Sequence, residues 1–580
     1  MPLRAGILTL ACLLLLAAPA GAAFQVTAFE VTPSSTAAGA HADVTIATSF
    51  LPYDAAAPPQ QPRNLTFHLP PGLAGDPFAT PRCTEADYRA DRCPAASKVG
   101  TAVATATAVT ALNVSLGQQT VNGDLYNLEP AGSEPARLGA VLHPMVAAVA
   151  LDPVFVPTVI TARATDGGLD SVVTDLPTEL PSALGPLRLY TERMSFTLQG
   201  RPAGGTGPFM RNPTRCAAAT STVEATPYGE PATTATGTSS FTPTDCGALG
   251  FEPHIDGSMG ARGQTARRAK PPVHTVITQG AEQAGQAAVT VVLPPVIGPD
   301  LSQLGRACAA AQVLTRSCPA TAKVGTVTAA TPLLAQPLTG SVYLAARPAG
   351  QLPGLAIQLA DPIPLRLEGA VELSPNGLKT TFSGLPDVPL SRFALDLDGG
   401  ATGAFQLGSD ICAPAAPPML AATFAAQSGK QTAETKPLRV EGCTAAPKVS
   451  ARITRLRTGR PTVRMRVTAG AAAPDLRGVR LILPDALRAK PKRARAGARA
   501  RTGAGRLPRK AIKLTRDGEL RLTLPTGTRT VTATLAKGAV RVGRKLKRAR
   551  KPKRQALVVL VTDGDGQRPS RTLKVRPRRR

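Results

Sequence analysis

Eight cysteines carry the clearest chemical spacing in this chain. Cys83 and Cys93 enclose nine residues, and so do Cys308 and Cys318. Cys216 and Cys246 stand 30 positions apart, Cys412 and Cys443 stand 31. Thiols at fixed spacing either hold a metal or form disulfides. A structural zinc site wants four ligands, with cysteines or histidines paired a few residues apart. The chain has no Cys-x2-Cys and no histidine at ligand spacing, so disulfides are the expectation. The simplest pairing takes each close pair and each wide pair by itself: 83–93, 216–246, 308–318 and 412–443. Each closed loop contributes roughly 3 kcal/mol on a chain-entropy estimate.

Other chemistry is sparse. The five histidines, His41, His68, His143, His254 and His274, are scattered, and no HExxH, GxSxG or phosphate-cradling Gly loop occurs. No catalytic residue and no cofactor is expected. An enzyme remains the alternative only with an unrecognised site, a pocket of convergent, perturbed carboxylates. Asp396 and Asp398 in LDLDGG, and Asp563 and Asp565 in TDGDG, suit either a calcium loop or a hairpin turn. The turn is the simpler reading, and no metal site is assigned. LPTGT at 524–528 misses the order of a sorting signal and has no apolar run behind it.

The elements that carry these cysteines read as strands. ADVTIATSF (42–50), NLTFHLP (64–70) and GTAVATATAV (100–109) alternate and are rich in Thr and Val. Turns are expected at Asp166-Gly167-Gly168 and Pro375-Asn376-Gly377. Helical turns are expected only inside the close cysteine pairs, as in TEADYRAD (84–91), where Thr84 can cap and Asp87 follows three on. Each close pair lies downstream of Leu-Pro-Pro (69–71, 293–295) and runs on as CPAASKVGT (93–101) or CPATAKVGT (318–326). The chain thus reads as an internal repeat: unit 1 at 24–250, a linker at 251–272, unit 2 at 273–445. Unit 1 is about 29 residues longer between its cysteine pairs, which leaves room for a hairpin or long loop within 140–190. Each unit is expected to hold two packed sheets, with unit 1 open to division into two subdomains.

Composition changes after Cys443. Residues 448–580 hold 40 Lys and Arg against 6 Asp and Glu, a net charge of +34, so residues 1–447 carry −5 of the chain's +29. Alternating runs such as RPTVRMRVTAG (460–470) and ALVVLVT (556–562) predict a β-sandwich at 446–580. Two basic loops are expected to leave it, at 488–506 and 541–554. Their candidate polyanion-binding residues are Arg488, Lys490, Lys492, Arg493, Arg495, Arg499, Arg501, Arg541, Arg544, Lys545, Lys547, Arg548, Arg550, Lys551, Lys553 and Arg554. Nucleic acid is disfavoured, because residues 448–580 contain no Phe, Tyr, Trp or His to stack on bases. Glycan binding is disfavoured too, with aromatics at 3% and no Trp. Anionic cell-envelope polymers or lipid head groups are the expected partners; a solvated loop without a partner is the bland alternative.

The first residues read as a signal peptide: Arg4, an apolar run from Ile7 to Ala18, then the small residues to Ala23. That run is shorter than a membrane span, and Cys12 sits inside it. The Leu-Pro-Pro, Cys-x9-Cys-Pro and Lys-Val-Gly-Thr motifs, the Tyr-bearing GDLYNLEP (123–130) and GSVYLAARP (340–348), and FSGLPDVPLSRFALDLDGG (382–400) together resemble secreted β-repeat proteins of high-GC soil actinobacteria. The resemblance spans roughly 24–445. It implies export and β architecture and carries over no catalytic residue. The expectation is therefore an all-β protein of tandem disulfide-stapled β-sandwich units followed by a basic Ig-like β-sandwich domain. Its expected role is that of a secreted, non-enzymatic surface protein, or alternatively a binding module for a glycan or protein ligand.

Overall fold

The computed structural model describes residues 24–580 except 133, 147–148, 183–184, 361–362, 413–415, 444–445, 472, 565–567 and 579–580, and except the side chains of 146, 494, 495 and 545. The expected signal peptide at 1–23, with Cys12, and Asp565 lie outside the described residues. The chain is all-β, and its helices are short turns between strands.

Unit 1 has eleven principal strands: β1 (Val26–Pro33), β2 (Val44–Phe50), β3 (Pro62–His68), β4 (Lys98–Val109), β5 (Ser115–Leu128), β6 (Ala136–Leu142), β7 (Val154–Ala162), β8 (Leu169–Val173), β9 (Leu187–Leu198), β10 (Ala219–Pro227) and β11 (Ala235–Phe241). They form one sheet in the order β1-β2-β9-β4-β5-β6-β7-β8-β3-β10-β11. Unit 2 has β12 (His254–Met259), β13 (Val273–Thr278), β14 (Gln286–Leu293), β15 (Lys323–Ala330), β16 (Leu338–Ala345), β17 (Gly354–Leu359), β18 (Arg366–Ser374), β19 (Gly377–Ser383), β20 (Arg392–Leu397), β21 (Met419–Ala426) and β22 (Gln431–Pro437). Their order is β12-β13-β20-β15-β16-β17-β18-β19-β14-β21-β22. Position for position, the two sheets have one topology.

Each sheet curls until its ends meet. The Val31 amide on β1 donates to the Ser239 hydroxyl on β11 at 2.9 Å, and Ala37 and Thr244, just beyond these strands, form a parallel bridge. In unit 2 the Ile255 amide on β12 donates to Glu434 on β22 at 2.7 Å. Curling lets one sheet bury one face against itself and leaves few free edges. Phe67 on β3 meets Phe29 on β1 and Phe196 on β9 across the interior, with ring centroids 6.1 and 6.5 Å apart. The result is a sandwich-like roll of one sheet rather than two separate sheets or subdomains.

Four disulfides join Cys83–Cys93, Cys216–Cys246, Cys308–Cys318 and Cys412–Cys443, the pairs that the spacing predicts. The close pairs enclose α1 (Glu85–Arg89) and α2 (Ala310–Leu314). Thr84 caps α1, accepting from the Asp87 amide at 3.1 Å. Cys83 is stitched to β5 through Asn127 and Glu129, and Cys308 to β16 through Leu344 and Ala346.

Two expectations change, and a third, the hairpin within 140–190, holds. Residues 251–272 are not a free linker: His254–Met259 pairs with β13, because Ile255 and Met259 are buried in the core of unit 2 between polar neighbours. The additional length of unit 1 makes a small hairpin, Met145–Val146 with Val149–Ala150, within the 140–190 stretch where one was expected; it also lengthens β4, β5 and β9 and adds no principal strand. The basic segments 488–506 and 541–554 are not loops but hold strands and helical turns, as described next.

The basic domain packs two five-stranded sheets over an aliphatic core that includes Val467, Val531 and Leu557. One sheet runs β23 (Lys448–Thr454), β24 (Thr462–Thr468), β31 (Thr530–Leu535), β27 (Ala498–Thr502), β28 (Gly505–Arg506). The other runs β29 (Ile512–Leu514), β30 (Glu519–Thr523), β25 (Leu476–Ile482), β33 (Gln555–Asp563), β34 (Ser570–Val575). A ribbon of β26 (Leu487–Ala489) and β32 (Val540–Val542) closes one end.

Candidate polyanion-binding surface of the basic domain

Alternation puts Val463, Met465 and Val467 of β24 inside and Arg464 and Arg466 outside. On the outer face Arg452 of β23 lies directly opposite Arg464. Arg464 and Arg499 flank Thr534 of β31, and Arg466 and Arg501 flank Thr532. Arg501 stands directly opposite Arg506. Six exposed guanidinium groups thus share one sheet face, with threonines between them.

Like charges directly opposite each other destabilise a sheet. The second sheet shows how a fold relieves that. There Arg480 and Arg521 are also opposite, but Glu519 sits between them and pairs with both. The two guanidiniums hold the Glu519 carboxyl below its usual range. On the first sheet no described carboxylate takes this place, so the Arg452, Arg464, Arg466, Arg499, Arg501 and Arg506 charges face solvent.

The two basic segments expected as loops meet at their bases. Arg488 lies opposite Arg541 in the closing ribbon, and the Lys490 amide donates to Ala539 at 2.8 Å. Lys492 and Arg493 are exposed on α3 (Pro491–Gly497), and Arg499 and Arg501 belong to the sheet face. Arg544, Lys547 and Arg548 on α4 (Arg544–Arg548) line a concavity with Arg457. Arg550, Lys551, Lys553 and Arg554 are exposed on the segment entering β33. The side chains of Arg495 and Lys545 lie outside the described ones. Arg452, Arg464, Arg466 and Arg506 were not among the sequence candidates. For Arg464 and Arg466 the signal was present as Arg at every second position of TVRMRVT, a pattern that reads first as a strand and only then as a basic face; Arg452 and Arg506 join the face only through their strand pairings.

The histidines each face an acid: His41 meets Glu282, His68 meets Asp170, His143 meets Asp91, His254 meets Glu434 and His274 meets Asp396. These are cross-strand and interface ties, with no nucleophile hydrogen-bonded to the second ring nitrogen among the described residues. Nor does any cluster of three or more His, Cys, Asp or Glu suited to a metal occur among them. No described helix is long and apolar enough to cross a membrane. No protein-family model matches the chain, and no curated protein matches it.

Proposed function

We propose that this is a secreted, non-enzymatic surface protein whose basic domain docks on anionic envelope polymers or lipid head groups. The observation that carries the reading is the uncompensated arginine face of the first sheet. Opposed like charges oppose folding, and an anionic surface would turn that cost into binding. Each Lys or Arg near an anionic bilayer contributes about 1 kcal/mol, so six on one face suffice for non-covalent retention. The four disulfides support an oxidising compartment. The signal-like N-terminus and the resemblance to secreted repeat proteins of high-GC soil actinobacteria support export, and the matching sheet topologies support a duplicated unit.

The test is retention of full-length protein on an envelope fraction under graded salt. The comparison is with the quadruple variant R464E/R466E/R499E/R501E, whose changes are all at exposed positions. Wild type should stay bound at low ionic strength and elute as salt passes about 0.15 M, where charge screening reaches about 8 Å. The variant should wash off at once. If wild type remains in the supernatant at low salt, or both proteins are retained alike, the docking reading fails.

A further inference from the structure

The interior of the second roll is not fully packed. A partly open space of about 140 Å³ lies between the inner faces of β13 to β20, with Ala329 of β15 and Leu338 of β16 in its lining. Interior side chains of a sound core are close-packed and dry. Here Phe382, Leu385, Leu390, Phe393 and Leu395 line the space yet remain only partly buried. A smaller space in the first roll measures about 70 Å³; the larger one is lined by residues of unit 1 as well as unit 2, so it lies where the second roll meets the first.

Its roof is the connection from β19 to β20. Leu385, Pro386, Val388, Pro389 and Leu390 turn apolar atoms inward. Unit 1 fixes this roof from outside. The Thr214 amide and hydroxyl both donate to Asp387, each at 2.6 Å, and the same hydroxyl accepts from the Gly285 amide at 3.0 Å. Gly72, Leu73, Ala74, Ala162, Gly167 and Leu169 of unit 1 complete the wall. Pockets at such domain junctions are common ligand sites.

The lining sets the ligand class. Asp387 is the one ionisable residue among the described lining residues, and its oxygens are taken by Thr214. Gln286 is engaged by Gln279 at 2.8 Å. An anionic head group would find no counter-ion there, and the one carboxylate is already engaged by Thr214. An engineered apolar cavity of about 150 Å³ holds benzene, so the available space fits a single ring or a short alkyl segment. We propose that the interior of unit 2 binds an uncharged hydrocarbon group, either a small free hydrocarbon or the end of a lipid chain, beneath a roof anchored by unit 1. This site is independent of the basic domain and of the docking reading.

The test titrates full-length protein with toluene by ligand-observed NMR, with dihexanoylphosphatidylcholine below its micellar concentration as a second arm. Wild type should bind toluene saturably, and Ala329→Leu, which fills the cavity, should weaken binding at least tenfold. Competition by the phospholipid would assign the site to a lipid chain; binding of toluene alone would assign it to a free hydrocarbon. If Ala329→Leu does not fold, Leu338→Ala decides, because the enlarged cavity should newly admit naphthalene. Absence of saturable binding of both probes to wild type overturns the proposal. So does toluene binding that Ala329→Leu leaves unchanged, or a Leu338→Ala protein that still excludes naphthalene.

Discussion

Asp387 shows at a single residue how much the neighbours of a charge decide. Its burial pushes the carboxyl above the ordinary range, and the two Thr214 donors oppose that push. A raised carboxyl adds stability below its unfolded value near pH 4 and loses it as pH rises through the folded value. Thr214→Val removes one donor and raises Asp387 further. It should cost about 1–3 kcal/mol, with a larger deficit at pH 7 than at pH 4 in urea melts. Equal deficits at both pH values would count against this account. Asp300 behaves in the opposite sense. Burial raises it, but Lys270, Ser302 and Gln303 outweigh burial and hold it at about 2. That contribution is present above pH 4 and disappears as pH falls toward 2. Lys270→Met should therefore lower stability at neutral pH and flatten the acid limb of the stability profile between about pH 4 and 2.

At the scale of elements, the stapled helical turns show two solutions to one packing problem. By the strand registers, Gly139 of β6 holds the place that Ala356 holds in β17. In unit 1 the fully buried Tyr88 of α1 lies over Gly139, its hydroxyl donating to Ala140 at 3.0 Å. A Cβ on Gly139 would come within 2.6 Å of the Tyr88 ring. In unit 2 the smaller Val313 packs over Ala356. Gly139→Ala should then cost about 1–3 kcal/mol through overpacking, while Ala356→Gly should leave the staple in place and cost about 1 kcal/mol. Thermal melts of the two single variants check the asymmetry; similar losses would show that the Tyr–Gly and Val–Ala pairs are not size-matched. The Thr84 cap on the Asp87 amide, the hairpin at Pro375-Asn376 and the four disulfide pairs were legible in the sequence, because each depends on residues close along the chain or on a repeated spacing.

Over the whole molecule, hydrogen bonds tie the two rolls together. Arg211 of unit 1 donates to Ala281 and Gln283 of unit 2 at 2.8 and 2.7 Å, and His41 bridges Met210 and Glu282 at 2.8 Å each. With the Thr214–Asp387 contact, these ties bury polar groups of one unit against the other. Calorimetry of the full chain should show both rolls unfolding in one transition at a temperature insensitive to salt. The basic domain should unfold separately, with a midpoint that rises with salt as its arginines are screened. Three transitions, or a salt effect on the rolls, would contradict this division.

The amino-acid sequence by itself determined the β architecture, the disulfide pairs and the confinement of net positive charge to the last quarter. These follow from alternation, spacing and composition, which need no knowledge of what lies opposite. Tertiary structure alone decided that each unit is one curled sheet and that His254–Met259 opens the second. It also decided that Arg452, Arg464, Arg499 and their neighbours share a face, and that unit 1 anchors the roof of the unit 2 cavity. Each of those depends on which strand lies beside which, and residues as far apart as Thr214 and Asp387 meet only when the sheets have closed.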